Sequence, residues 1–272
     1  MQSSFNGAGQ TSFSEQSGSF AGVRVTINNT AALTIAQLES ANIQVNLQRQ
    51  GKTTPVVSGP LYAAALALDP TQLEATSLQF VDTWSAGLYV DFGGVVNLKG
   101  NDQLQVTVNG AGLPATSNTV VSTEYGVGVE EFTPSIVIYP VDKTRSNFTL
   151  PAFDNVSAVT FIQTSAPGAA TTQLFTGINI QSDKWQASYN QSDNIALLAQ
   201  QWDTTPTRTA FFAYLGEALD RCNIQFNINA SGTGNGYVCV INGQCDPVQM
   251  ERARALAERI VSKKIAKYNK KY

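Results

Sequence analysis

The chain has 272 residues, of which 43% are hydrophobic and only 14% charged, with 17 Lys+Arg against 20 Asp+Glu and no histidine. That is enough apolar material for one large or two small domains with a real core, under a surface that is polar but mostly neutral: Ser, Thr, Asn and Gln number 88. Zero histidine excludes Ser-His-Asp and Cys-His catalysis, HExxH zinc chemistry and imidazole acid/base work, and so few like charges make close packing against other subunits electrostatically inexpensive.

The first twenty residues, MQSSFNGAGQTSFSEQSGSF, are rich in Ser, Gly and Gln with scattered Phe, and they predict a flexible N-terminal arm that orders against a partner. They show neither a basic n-region nor a long apolar run. The longest such run, Leu61 to Leu68, is far short of the roughly 20 residues that span a bilayer, so neither a signal peptide nor a transmembrane helix is expected. Five Asn-x-Ser/Thr sites, at Asn28, Asn147, Asn155, Asn190 and Asn229, are then chance matches in an Asn/Thr-rich chain.

From Ala21 to about Asn109, β-rich runs alternate with turn signals. Val23 to Ile27, Ile43 to Leu47, Leu88 to Phe92 and Leu104 to Val108 predict strands, with short helices over 32–40 and near 60–68. A second set follows: Ile136 to Tyr139, Val156 to Thr164, Leu174 to Ile180, Thr209 to Tyr214, Ile224 to Ile228 and Tyr237 to Ile241. Between them Ser182 reads as an N-cap, and Ile195, Leu197, Leu198 and Trp202 recur at helical spacing, which predicts an inserted helix. Many short strands, twice over, predict an all-β chain of two consecutive eight-stranded jelly rolls, 21–130 and 131–245, joined near Thr123 to Pro134.

The last 27 residues differ in kind. Asp246-Pro247 caps a predicted amphipathic helix over 246–272 with a stripe of Met250, Ala253, Ala257, Val261, Ile265 and Tyr268. Eight cations fall there, Arg252, Arg254, Arg259, Lys263, Lys264, Lys267, Lys270 and Lys271, against Glu251 and Glu258. This concentration of positive charge points either to an anionic surface or to a solvated helix docked on its own domain.

Other candidates for chemistry have simpler readings. Glu130-Glu131 is the only adjacent acid pair, but neighbours on a strand face opposite ways, so it reads as a solvated strand or linker. Gly232-x-Gly234-x-Gly236 precedes a strand where a phosphate loop needs a helix, and predicts a hairpin turn. Trp84, Tyr89 and Phe92 could stack on a sugar but read better as core or interface. Cys222, Cys239 and Cys245 match neither a disulfide framework nor a paired zinc motif and are expected as free thiols. No catalytic residue, cofactor or metal ligand is expected, with structural calcium left open.

In order of elements, the chain resembles the double jelly-roll major capsid proteins of tailless icosahedral phages with an internal membrane, the small corticovirus-like type above all. Ile178-Asn179-Ile180-Gln181-Ser182-Asp183-Lys184-Trp185, leading from a strand toward Gln200-Gln201-Trp202, and Thr34-Ile35-Ala36-Gln37-Leu38 before Asn42-Ile43-Gln44-Val45, carry the resemblance. It implies a non-enzymatic protein forming a homotrimer, a pseudo-hexameric tile that meets neighbouring trimers, penton or spike proteins and minor membrane proteins. It also implies a place in the virion shell after assembly in a bacterial cytoplasm. Joined to it, the basic C-terminal residues are expected at anionic lipid of the internal membrane rather than at nucleic acid. The rivals are a minor capsid, spike-type or carbohydrate-binding β-protein, and an enzyme working with carboxylates alone.

Overall fold

The computed structural model describes residues 1–69, 84–128, 130, 133–164, 172–184, 186–190 and 210–242. Eight strands and two short helices make the first half: β1 (Gln2–Asn6), β2 (Gln10–Glu15), β3 (Gly18–Asn29), α1 (Ile35–Ser40), β4 (Asn42–Arg49), β5 (Lys52–Pro60), α2 (Leu61–Leu66), β6 (Trp84–Leu98), β7 (Gln103–Asn109) and β8 (Asn118–Tyr125). The second half contains β9 (Ser135–Pro140), β10 (Asn147–Phe153), β11 (Val156–Gln163), β12 (Phe175–Gln181), β13 (Gln186–Asn190), β14 (Ala210–Leu219), β15 (Cys222–Ile228) and β16 (Gly236–Asn242).

These strands form three sheets, ordered β1-β8-β3-β6, β10-β15-β12-β13, and β14-β11-β16-β9-β5-β4-β7-β2. Among the described residues all pairings are antiparallel except β5 with β9, where Val57 lies beside Ile136 and Ser58 beside Val137. Divided at that parallel step, the first half holds orders 1-8-3-6 and 2-7-4-5, and the second holds 9-16-11-14 and 10-15-12-13. The second set is the first with eight added to each number. Each half is therefore the same two-sheet jelly roll, and the facing inner strands of the two rolls merge into one long sheet.

Local chemistry explains the elements. β4 buries Ile43, Val45 and Leu47 and turns the polar residues between them outward, and β7 does the same with Leu104, Val106 and Val108, its polar residues half-buried in the middle of the sheet. α1 starts at a capping box in which Thr34 Oγ1 accepts from Gln37 N–H and Gln37 Oε1 accepts from Thr34 N–H. α2 follows Pro60 and buries all six of its residues, with Ala63, Ala64 and Ala65 small enough to let β-sheet approach from both sides.

The core has two parts. One fills the first roll and continues past α2 to Ala158, Ile162, Tyr237, Cys239 and Ile241 on the second roll's inner sheet. The other lies inside the second roll, where Phe161, Phe175 and Phe226 meet edge to face. β11 thus has core on both sides, and every residue of it is buried.

Three expectations need correction. Residues 1–20 are not an arm: they form β1, β2 and the start of β3, and β1 pairs with β8 while β2 pairs with β7. The scattered Phe5, Phe13 and Phe20 are their buried residues, and the Ser/Gln composition is the outward half of the alternation. The helix expected after Ser182 does not begin there, because residues 186–190 are β13, paired antiparallel with β12, and Ser182 Oγ accepts from Lys184 N–H in a turn. The apolar positions 195, 197, 198 and 202 lie outside the described residues. Gly232 to Gly236 is not a hairpin either, since β15 and β16 belong to different sheets and the loop crosses between them. Gly234 has φ +70°, and a Cβ there would overlap the carbonyl oxygen of Thr164.

Candidate functional site

The most elaborated feature of the chain is the joint between its two rolls. At the N-terminal end of β4, Glu39 on α1 reaches across to the second roll. Its Oε1 accepts from Thr164 Oγ1 at 3.1 Å, Asn235 Nδ2 at 3.2 Å and Tyr237 OH at 3.0 Å. Burial first, then the Glu39 carboxylate, holds the Tyr237 phenol protonated well above its ordinary range. Gly234 completes this clamp, because its missing side chain lets Asn235 N–H bond Thr164 Oγ1 at 2.9 Å while Thr164 N–H bonds Asn235 O at 2.8 Å.

Arg49 ends β4 and makes the second clamp. Its guanidinium donates to Asp102 at 2.8 Å, to both oxygens of Glu130 at 2.7 and 3.1 Å, and to the carbonyl of Asn97 at 2.8 Å. The Glu130 side chain is 7% exposed and also accepts from Asn97 N–H and Thr133 Oγ1. Burial pushes the Glu130 and Asp102 carboxyls up, but hydrogen bonds and the Arg49 charge outweigh it and leave both below the usual carboxylate range. Glu130 is therefore no solvated linker residue. It pins the connection between the rolls to the end of β4, while Glu131 lies outside the described residues.

The other sequence candidates do not gather into a site. Phe92 is buried in the first core, and Tyr89 stands half-buried on the outer face of its sheet, its phenol pushed up to about 12 by burial and by Asp91 and Glu124. Cys222 and Cys239 are buried free thiols, with burial raising Cys222 to about 11 and Cys239 further. Among the described residues there is no cluster of three or more His, Cys, Asp or Glu able to hold a metal. Arg252, Arg254, Arg259, Lys263, Lys264, Lys267, Lys270 and Lys271 lie outside the described residues, as does Cys245. Sequence reasoning missed Glu39 and Arg49: the capping box marks the helix that carries Glu39, but nothing local reveals partners 125 to 198 positions away.

What remains is surface. The outer faces of β2, β4 and β7 in the first roll, and of β12, β13 and β15 in the second, carry Asn, Gln, Ser and Thr in paired rows such as Ser12–Thr107–Gln44 and Ser188–Asn179–Gln225. Within the rows Ser12 and Thr107 hydroxyls lie 3.0 Å apart, and Ser188 Oγ donates to Asn179 at 3.2 Å. The sheet β1-β8-β3-β6 is different, with an exposed Arg24–Glu124 pair at 2.7 Å.

No protein-family model and no curated protein sequence matches the chain. Solved structures do. The STIV MCP superposes with a TM-score of 0.57 over 89% of this chain and 93% of its own, at 10% identity. The chain has the fold of that protein, a double jelly roll. A chain from the atomic structure of Sulfolobus Turreted Icosahedral Virus gives a TM-score of 0.58 over 97% of this chain and 95% of its own, also at 10% identity. The mavirus major capsid protein aligns over 87% of this chain and 83% of its own at 12% identity, with a TM-score of 0.32 that is too low to bear on the fold.

Proposed function

We propose that this chain is a major capsid protein, a non-enzymatic tile that assembles into an icosahedral virion shell. The observation that carries the reading is the joint. Two jelly rolls of the same topology are locked side by side by a shared eight-stranded sheet, a strand layer buried on both faces and two polar clamps, in the arrangement of the STIV MCP along nearly the whole chain. A catalytic role would need a cleft and a reactive constellation, whereas a tile needs two barrels that cannot rotate against each other. Glu39 and Arg49 serve that rigidity.

The finer reading is a homotrimer whose six barrels make a pseudo-hexamer, set in a shell around an internal membrane in the manner of tailless icosahedral phages. Its partners are neighbouring trimers, penton or spike proteins and minor membrane proteins, and its assembly takes place in a bacterial cytoplasm. Small contacts repeated over many copies suffice to hold such a shell. Eight cations in residues 251–272 support contact with anionic headgroups, each worth on the order of 1 kcal/mol and weakened by salt.

Solution mass combined with electron microscopy of the same sample tests the tile. Trimers and pseudo-hexameric particles are expected, and a strict monomer at micromolar concentration overturns the reading. Flotation with anionic liposomes at low and high salt, comparing the full chain with one ending at Cys245, tests the tail. Equal flotation of the two removes the membrane contact.

A further inference from the structure

Two of the chain's exposed faces share one chemistry. The sheets β2-β7-β4-β5 of the first roll and β10-β15-β12-β13 of the second hold equivalent places in the repeated topology, and β10, which carries the exposed Pro151 and Ala152, lies at the edge of the second face. Every side chain that β2, β7, β4, β15, β12 and β13 turn outward is Asn, Gln, Ser or Thr, with Gly177 the one residue lacking a side chain. At the usual surface share of about 25–35% charged residues, a quarter to a third of these positions would be charged. None is. Charge is confined to the ends of the strands, at Arg49, Lys52, Asp183 and Arg221, and to other faces such as that of Arg24 and Glu124.

We propose that these two amide and hydroxyl faces are the surfaces through which copies of this chain adhere to one another. The proposal deepens the capsid reading and rests on it. A carboxamide both donates and accepts, as does a hydroxyl, so such a face is complementary to another like it, while a charged partner would find no counter-ion there. The strands β2, β7, β4, β15, β12 and β13 turn no aromatic ring outward, which leaves a sugar nothing to stack on. With strands about 4.8 Å apart and alternate side chains about 6.8 Å apart, each face offers roughly 300 Å². That is below the ~800 Å² per partner of a standard stable interface, so one face alone holds weakly and a subunit engaged through both approaches that size. Because no charge is buried, the adhesion is indifferent to salt.

The test is sedimentation of the full-length chain across concentration at 50 mM and 1 M NaCl, beside two variants, Gln44→Glu with Gln105→Glu on the first face and Gln225→Glu with Asn179→Asp on the second. Wild type should assemble with a midpoint that moves less than about threefold between the salts. Each variant should melt like wild type, need at least about tenfold more protein to assemble at 50 mM, and recover in part at 1 M. Variants that assemble like wild type, or wild-type assembly that collapses at 1 M, overturn the proposal and leave the capsid reading standing. Dextran binding lost in the variants while their assembly persists makes the faces glycan surfaces and overturns it likewise. A wild type that stays monomeric at every concentration removes the capsid reading itself.

Discussion

The two halves of the eight-stranded sheet share one hydrogen-bond ladder and opposite sequence patterns. β4 and β7 alternate, apolar residues inward and amides outward; β11 and β16 are buried almost throughout, with apolar residues on both faces. The difference lies in what covers them. The first half faces its own core on one side only, whereas the second lies between its own core and the α2 layer of the other roll. A strand's pattern thus counts its covered faces, and a continuous apolar run in an antiparallel sheet marks where another layer docks. The polar residues of β11 are all satisfied, whereas Asn242 Oδ1 at the end of β16 is buried without a partner among the described residues. Ser157 Oγ donates to Ile241 O at 3.0 Å, Thr160 Oγ1 donates to the carbonyl of Ala67, and Gln163 bonds Thr172, Thr233 and Leu174.

The sharpest way to break the comparison is to challenge each face of β11 in turn. Ala158→Glu places a carboxylate in the apolar core between the rolls and should cost more than about 4 kcal/mol, enough to prevent soluble expression or abolish a cooperative melt. Phe161→Ala, on the other face of the same strand, should cost about 3–5 kcal/mol by urea unfolding. An Ala158→Glu protein melting within a few degrees of wild type would show that the second half is not covered on that side.

Next in size is the Arg49 clamp. Arg49→Met leaves Glu130 buried without its counter-ion, and the expected loss is about 2–3 kcal/mol at pH 7, under the 3–5 of a fully buried pair because Arg49 is 32% exposed. The pH dependence has a definite sign. Glu130 and Asp102 titrate below their ordinary values of about 4.3 and 3.9, so their stabilisation is complete above those values and fades as pH falls through the lower folded values. The gap in melting temperature between wild type and variant should be full at pH 7 and close progressively below about pH 4. A gap that is constant with pH would mean that packing, not charge, joins Arg49 to the linker.

Much of this fold is legible in the sequence, and the losses have physical reasons. Alternation exposes β4, β7 and β15, and apolar content exposes β11 and β16. The strands β1, β2, β5, β8, β10 and β13 are hidden because Ser, Gln, Thr, Gly and Pro dilute their pattern: β2 keeps only Phe13 as a large apolar residue, β5 carries Pro55 and β10 carries Pro151. Composition alone makes residues 1–20 look disordered, although three phenylalanines at 5, 13 and 20 anchor them. The joint is the least legible part. Its ion pairs and hydrogen bonds link positions far apart in sequence, so no local spacing announces them.

Glu39 sharpens the comparison from the side of the first roll. Glu39→Ala strands Tyr237 OH, Thr164 Oγ1 and Asn235 Nδ2 near the seam, for an expected loss of about 1–2 kcal/mol; Glu39→Gln keeps an acceptor oxygen and should lose less. Hydrogen exchange should show faster opening at residues 235–242 in the alanine variant, with β10 and β12 unaffected. Equal losses in both variants would assign the effect to the charge alone.

The smallest effect belongs on the outward half. Thr107→Val removes the exposed hydroxyl pair with Ser12 and replaces it by a β-branched side chain of the same shape. Strand propensity is preserved, the lost bond was already exchangeable with water, and no buried group is left unpaired. Its cost measured on the dissociated subunit should stay within about 0.5 kcal/mol. A loss above 1 kcal/mol there would mean that the row of hydroxyls and amides stabilises the barrel itself, and the contrast between a half covered on both faces and a half covered on one would fail where it is easiest to measure.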